Sequence, residues 1–411
     1  TPTLHVILRE GMPTRLWMGA PARETRSAKI LNATRVPVVR AREVTWNLRA
    51  SALRNMGNSF SKAKRFTFGD EFNGSVRGVA WPRGLEELTF GDAFNQPMTG
   101  VELPASLKEL TFEGCTTHSL QGVSWPVSLE MLGFRGVNHP LAGVICPQSL
   151  QTLVFLGIVP NEPISGTVWP VSLKRLCLGD GFNQPIDEVV WPPSLEDLSV
   201  GYDFDQPITR ANWPSSLAKL TLGGLFNQAI DAELWPGSLK NIELGWYFNQ
   251  PIDGARWPAF LEQLTLGWNF DLPMTGVNWP NSLEVLRLGH DFNQAIDMVS
   301  WPRSLKEMTF DSVFNQPIGG VRWPASLERL TFGCGFNQPI VAVAWPISLR
   351  LLSFGTCFNQ PIADVCWPDS LQEICLGGSS PPRAHDQYLT SPDPHGVVSE
   401  FNQPINEVAW P

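Results

Sequence analysis

Apolar side chains recur along this chain in a fixed order, and the whole order repeats. Residues 182–203 read FNQPIDEVVWPPSLEDLSVGYD, with Phe182, Ile186, Val189, Trp191, Leu195, Leu198 and Val200 at its apolar positions and Gly201 closing the run. Trp-Pro begins at 169, 191, 213, 235, 257, 279, 301, 323, 345 and 367, a step of 22 residues without a slip. Phe keeps the same step at 182, 204, 226, 248, 270, 292, 314, 336 and 358. Leu103-Pro104 and Cys146-Pro147 hold the Trp-Pro place in two earlier units. A period of this length makes the repeat the unit of folding.

Each unit ends in a period-two alternation, as in Leu220 and Leu222 or Leu330 and Phe332, which predicts a short strand with one apolar face. The Pro in F-N-Q-P-I lacks an N–H donor and excludes helix, so that segment is a turn or extended chain. Trp-Pro marks a second corner. One strand and two corners per unit describe a coil of a solenoid; a propeller blade would need four strands in about 40–45 residues. The expected fold is a β-rich solenoid, a leucine-rich-repeat-like right-handed superhelix with one short parallel strand per 22-residue coil. Successive strands would lie about 4.8 Å apart, and each coil would bury its apolar face only against its neighbours. Two local expectations follow. The repeated Asn (183, 227, 249, 293, 315, 337, 359) would form a ladder that satisfies turn backbone. The Gly that closes the strand would supply a positive φ.

The pattern F-N-Q-P-I … P-x-S-L-x-x-L-x-(L/F)-G resembles the FNIP repeat family, a branch of the leucine-rich-repeat superfamily. The likeness covers about 72–376 and 401–411. Trp stands where that family usually has Leu or Ile before Pro, a variant that suggests an algal lineage. The resemblance implies a solenoid used for protein–protein interaction. Some members of the family carry an F-box ahead of the repeats; residues 1–65 contain no segment that matches one.

Four segments are expected: a basic leader or cap over 1–60, the repeat body over 61–376, a polar Pro-rich degenerate coil or flexible loop over 377–400, and a partial repeat over 401–411. The last unit breaks off before its strand, so a longer protein is expected. Two stretches depart from the period: 113–122 loses F-N-Q-P, and the steps on either side of Cys146 are 21 and 23. Composition follows from the repeat: 13 of the 17 Trp stand in the Trp-Pro column.

Charge changes the picture more. Residues 1–65 carry 13 Lys and Arg against 3 acidic residues, whereas the remainder carries 17 against 36. An acidic body repels phosphate, so no nucleic-acid partner is expected. No apolar run is long enough for a membrane span. The seven Cys are odd in number and have no C-x-x-C spacing, which favours free thiols in an intracellular reducing compartment. The Arg-rich, acid-poor start also fits organelle targeting. The six His show no metal-ligand spacing, and no P-loop or G-x-S-x-G occurs. The chain is therefore expected to be no enzyme and to use no cofactor and no metal.

Two columns could meet a partner of unknown identity. The outward strand positions read Thr89, Thr111, Ser199, Thr221, Thr265, Thr309, Thr331 and Ser353, with Cys177, Glu243 and Arg287 as exceptions, flanked by charges of both signs. The residue after the strand-closing Gly reads Tyr202, Gly224, Trp246, Trp268 and His290, with Tyr247 beside Trp246. Elsewhere this position is polar or small, so the stack does not demand rings there. Exposed Trp and Tyr are enriched at binding hot spots. Tyr202, Trp246, Tyr247, Trp268 and His290 are the candidate partner-binding residues. The function expected is a non-catalytic protein–protein interaction scaffold; the alternative is a carbohydrate- or surface-binding solenoid using the same aromatic strip.

Overall fold

The structure is a computed structural model. It describes residues 62–137, 144–157, 161–231, 235–377, 401–404 and 408, and the backbone of three earlier strands. The chain divides into two units, residues 1–201 and 202–411.

In the first unit, β1 (Ile7–Arg9) pairs antiparallel with β2 (Ser27–Ile30). From β2 onward all pairing is parallel: β3 (Glu43–Trp46), β4 (Arg65–Phe68), β5 (Glu87–Phe90), β6 (Glu109–Thr116), β7 (Met131–Val137), β8 (Thr152–Phe155), β9 (Arg175–Leu178) and β10 (Asp197–Ser199). The β3–β4 pair, Trp46 opposite Phe68, already keeps the 22-residue register, so the parallel stack begins inside the basic segment. The remainder of 1–60 lies outside the described residues.

In the second unit, β11 (Lys219–Thr221), β12 (Asn241–Glu243), β13 (Gln263–Thr265), β14 (Val285–Arg287), β15 (Glu307–Thr309), β16 (Arg329–Thr331), β17 (Leu351–Phe354) and β18 (Glu373–Leu376) pair in order, each parallel to the next. Each unit is thus a parallel β-solenoid, and no helix occurs among the described residues. The central Leu, Ile or Met of every strand from β11 to β17 is buried, as are the Leu of P-x-S-L and the Phe and Ile of the turn.

Like stacks on like. Phe204, Phe226, Phe248, Phe270, Phe292, Phe314, Phe336 and Phe358 form one file, with ring centroids 6.0–6.2 Å apart and planes within 11°. Trp279, Trp301 and Trp323 stack likewise, as do Trp345 and Trp367. The polar residues of the repeat also serve the next coil. Asn315 Oδ1 accepts the Asn337 backbone N–H at 2.9 Å and Gln338 Nε2 at 3.0 Å. Asp205 and Asp271 fill the same role where Asn is absent. The Ser of P-x-S-L donates to the Leu carbonyl of the coil before, as Ser326 does to Leu305 at 2.7 Å.

The strand-closing Gly corrects one expectation. In this column only Gly179 and Gly377 have positive φ, at 29° and 80°. Eight others (Gly91, Gly157, Gly201, Gly245, Gly267, Gly289, Gly333 and Gly355) are required by close approach: a Cβ on Gly201 would lie 1.6 Å from the Gly179 carbonyl oxygen, and one on Gly355 would lie 2.3 Å from that of Gly333. Positive φ falls instead mainly in the turn before Trp-Pro, at Gly78, Gly100, Gly122 and Gly276.

Irregular coils have local causes. Glu113 replaces the closing Gly, so β6 runs on and the β6–β7 register slips between Phe112 and Cys115. The slip brings Gly114 into the tight contact, with its Cβ position 2.3 Å from the Asp92 oxygen. At the far end Phe401 stacks on Phe358 at 6.2 Å, and Asn402 and Gln403 donate to Asn359. A span of 43 residues there does what 22 do elsewhere. The chain between 377 and 401 lies outside the described residues.

Candidate functional site

Every candidate site residue lies on the turn that leaves the strand. The turn is held from coil to coil by backbone: Tyr247 N–H donates to the Gly224 oxygen at 2.9 Å, Asn269 to Trp246 at 2.8 Å, and Asp291 to Trp268 at 2.9 Å. These bonds set one side chain above the next.

Tyr202, Trp246, Trp268 and His290 come together as one row. Trp268 and His290 are stacked, with centroids 4.4 Å apart and planes at 9°. Trp246 and Trp268 lie 6.3 Å apart at 42°. Tyr202 does not stop at its own coil. It crosses Gly224 and meets Trp246 edge to face, 5.7 Å away at 90°. A Cβ on Gly224 would sit 2.3 Å from the Tyr202 ring, so only glycine lets the tyrosine through. The Tyr202 ring thus fills the space that Gly224 leaves in the row. Tyr247 belongs to the adjacent column, close to the Tyr202 phenol. Burial, with Tyr247 and Asp203 close by, pushes the Tyr202 phenol above its ordinary value.

The row is open to solvent. Tyr202 is 36% and Tyr247 47% exposed; Trp246, Trp268 and His290 are half-buried. His290 Nδ1 donates to Asp291 Oδ1 at 2.8 Å, which fixes the ring over Trp268. Leu225, 37% exposed, lies between Tyr202 and Tyr247 in the turn order and extends the apolar edge. Sequence reading missed it because its column was read for rings alone.

The strand face is different. Its charges are paired from coil to coil: Lys240 with Glu262 at 2.8 Å, Lys306 with Glu284 at 2.7 Å, Arg329 with Glu307 at 3.6 Å and Arg350 with Glu328 at 3.9 Å. The first unit repeats this with Lys64 and Glu86, Arg65 and Glu87, and Arg175 and Asp197. Opposite charges one period apart would have revealed these pairs in the sequence. In the first unit Ile145, Val168 and Val190 are also exposed beside the Trp-Pro corner; they carry no polar atom with which to orient a ligand.

Among the described residues no group of three or more His, Cys, Asp or Glu could hold a metal ion. No helix among them is long and apolar enough to cross a membrane.

Among solved structures, the chain is similar to CroV588, described as a novel circular LRR protein: 35% identity over 83% of this chain and 54% of that one, with a TM-score of 0.66. This chain thus spans about half the length of that protein. An internalin, InlF, from Listeria monocytogenes matches at 13% identity over 77% and 87% of the two chains, with a TM-score of 0.46. The leucine-rich effector YopM from Yersinia pestis matches at 17% over 74% and 86%, with a TM-score of 0.40. No curated protein matches the sequence. The FNIP Repeat family model matches residues 72–115, 160–202, 182–224, 226–255, 292–335 and 336–379, passing over the irregular coils at 116–159. Those matches take in more than half of the residues, and the chain belongs to the FNIP repeat family.

Proposed function

We propose that this chain is a non-catalytic protein–protein interaction scaffold, and that the edge formed by Tyr202, Trp246, Tyr247, Trp268 and His290 is its contact site. The observation that carries the reading is the row of rings itself. At the same turn position later coils have Ser312, Cys334 and Thr356, and they stack as well without a ring. The rings therefore answer no demand of the solenoid. Stacked coils offer long surfaces to partners, and partly exposed Trp and Tyr are the side chains that most often anchor them. The strand face supports the choice by contrast, since its charges already have partners within the chain.

The test is affinity capture with the full chain and with a Trp246→Ala, Tyr247→Ala, Trp268→Ala variant, matched by circular dichroism and melting temperature. Proteins held by the parent and lost by the folded variant are the expected result. An identical set from both would sink the assignment of the site. The same rings beside Asp203 and Asp291 also favour a second reading, a carbohydrate-binding edge. Glycan-array binding that the triple variant loses would favour it.

A further inference from the structure

We infer that the chain pairs with a second copy of itself through an aliphatic strip at the Trp-Pro corner of its first unit. The strip spans four consecutive coils and is independent of the contact site proposed above.

The strip is written in the residues that flank the corner. Four consecutive coils read SWPV (124–127), ICPQ (145–148), VWPV (168–171) and VWPP (190–193). Trp169, Trp191 and the prolines that follow them are buried, whereas Val127, Ile145, Val168, Val171 and Val190 are 63–85% exposed. The solenoid does not demand apolar residues at these places. The two coils before read AWPR (80–83) and ELPA (102–105), and later ones read RWPA (256–259), SWPR (300–303) and CWPD (366–369); their strands stack in the same parallel order. Charge therefore borders the strip at Arg83 and Glu102, while the four coils carry none at the flanking positions. In the second unit Ile347 is exposed at this corner, but Ala325 and Asp369 hold its place in the neighbouring coils, and no strip forms around it.

Three features fit a second copy. The first is area. A Val or Ile side chain presents on the order of 100 Å² of apolar surface, so five at this exposure offer on the order of 400 Å². Apolar groups make up about two-thirds of a homodimer interface, which puts the whole contact at about 600 Å² per copy and about 1,200 Å² in all, the lower end of what holds a specific dimer. The second feature is match. A two-fold axis sets the same row of both copies face to face. Whatever the rise from coil to coil along this corner, the partner row has that rise too, so side chains of one copy meet the gaps between coils of the other along the whole strip. β-Branched side chains also have few rotamers to lose when they are covered. The third feature is charge. Beyond residue 65 the chain holds 36 acidic against 17 basic residues, so two copies repel one another as bodies, and a strip without charge is where they can approach closely.

The experiment is sedimentation equilibrium of the full chain over about 1–200 µM, where a contact of this area dissociates, at about 0.05 M and 0.5 M salt. Expected is a reversible monomer–dimer equilibrium whose upper mass is twice the 45.6 kDa of one chain. The dimer should tighten as salt rises, because screening removes the repulsion between acidic bodies and leaves the apolar contact. A Val168→Asp, Val190→Asp variant should dimerise at least tenfold more weakly. Val168→Thr with Val190→Thr is the second arm, which keeps the side-chain shape and puts a hydroxyl in place of a methyl; it should weaken the dimer severalfold, and no change would overturn the inference even if the Asp variant failed to fold. A single-chain mass at every concentration would overturn it. So would a dimer that the folded Asp variant retains in full, which would place the contact elsewhere, or one that weakens as salt rises, which would make the contact one of charges. A monomeric parent that floats with phosphatidylcholine vesicles, and loses this in the Asp variant, would overturn self-association in favour of a lipid surface.

Discussion

Gly355→Ala separates two reasons for glycine at the end of a strand. Gly355 has no positive φ, so freedom of the backbone does not require it. If conformation were the only consideration, alanine there would stabilise the chain by about 0.4–1 kcal/mol, because it restricts the unfolded state. The coil spacing says otherwise. An added Cβ would sit 2.3 Å from the Gly333 oxygen, 2.4 Å from the Gly333 carbonyl carbon and 2.5 Å from the Cys334 Cα. All three are backbone atoms, and no flexible side chain can yield. Carbon–oxygen contacts close at about 3.3 Å, so one coil must move by about 1 Å. That movement strains the flanking bonds from Cys357 N–H to the Cys334 oxygen and from Gly377 N–H to the Phe354 oxygen, both 3.1 Å. Overpacking costs about 1–3 kcal/mol, and a weakened hydrogen bond adds about 0.5–1.5 kcal/mol. The expected loss is about 2–4 kcal/mol. Gly237→Ala is the control, since its Cβ would meet nothing within 4 Å and its φ is not positive; a gain of about 0.4–1 kcal/mol is expected there. Urea unfolding followed by circular dichroism reads both. A Gly355→Ala midpoint equal to or above the parent's would refute the close-approach argument.

Three further outcomes follow from the same stack. Asn315→Ala leaves the Asn337 N–H and Gln338 Nε2 without their acceptor and should cost about 1–3 kcal/mol, whereas Asn315→Asp, which restores the acceptor as Asp271 does in its own coil, should cost less in the same urea assay. Lys306→Glu places a third carboxylate between Glu284 and Glu328; the melting temperature should fall at low salt, and the deficit should shrink at high salt, where exposed charges are screened. Burial pushes the Cys146 and Cys177 thiols up to about 11. The folded state then holds protons that the unfolded chain releases near pH 9, so stability is full below that point and falls as pH rises towards about 11. Replacing both by Ala should flatten that alkaline loss, and at about pH 8 iodoacetamide should label the exposed Cys115 and Cys366 first in a mass-spectrometric time course.

The period made most of the fold legible. Phe, Leu, Asn and Gln recur at 22 residues, and each meets its own kind, or its hydrogen-bond partner, one coil on. What stayed hidden was whatever depends on distance between coils. Gly355 looks like a turn glycine in the sequence, yet its need arises from the Gly333 carbonyl 22 residues earlier. The charges were legible in kind, and their pairing follows from the period once strands are stacked, since Lys306 and Glu284 lie one register apart. At the candidate site, sequence placed Trp246, Trp268 and His290 in a row correctly. It could not show Tyr202 reaching over Gly224, because that depends on the direction of one side chain rather than on the period.

Stacking also distinguishes the edge proposed as a contact site from the strand face. In a solenoid each coil interacts with the coil before and the coil after, and stability is close to a sum of such terms. A side chain that fits the column is used up by its neighbours: the Asn oxygen by the next N–H, the Ser hydroxyl by the preceding carbonyl, Lys240 by Glu262. Surplus capacity appears only where a column changes character. The turn position does so between Tyr202 and His290, where rings replace the small residues of the later coils and Gly224 is left open for one of them to cross. Those rings satisfy one another only in part, edge to face at one end and stacked at the other. These partly exposed rings, with Leu225, Asp203 and Asp291 in the same turns, are the part of this turn column that the later coils do not repeat.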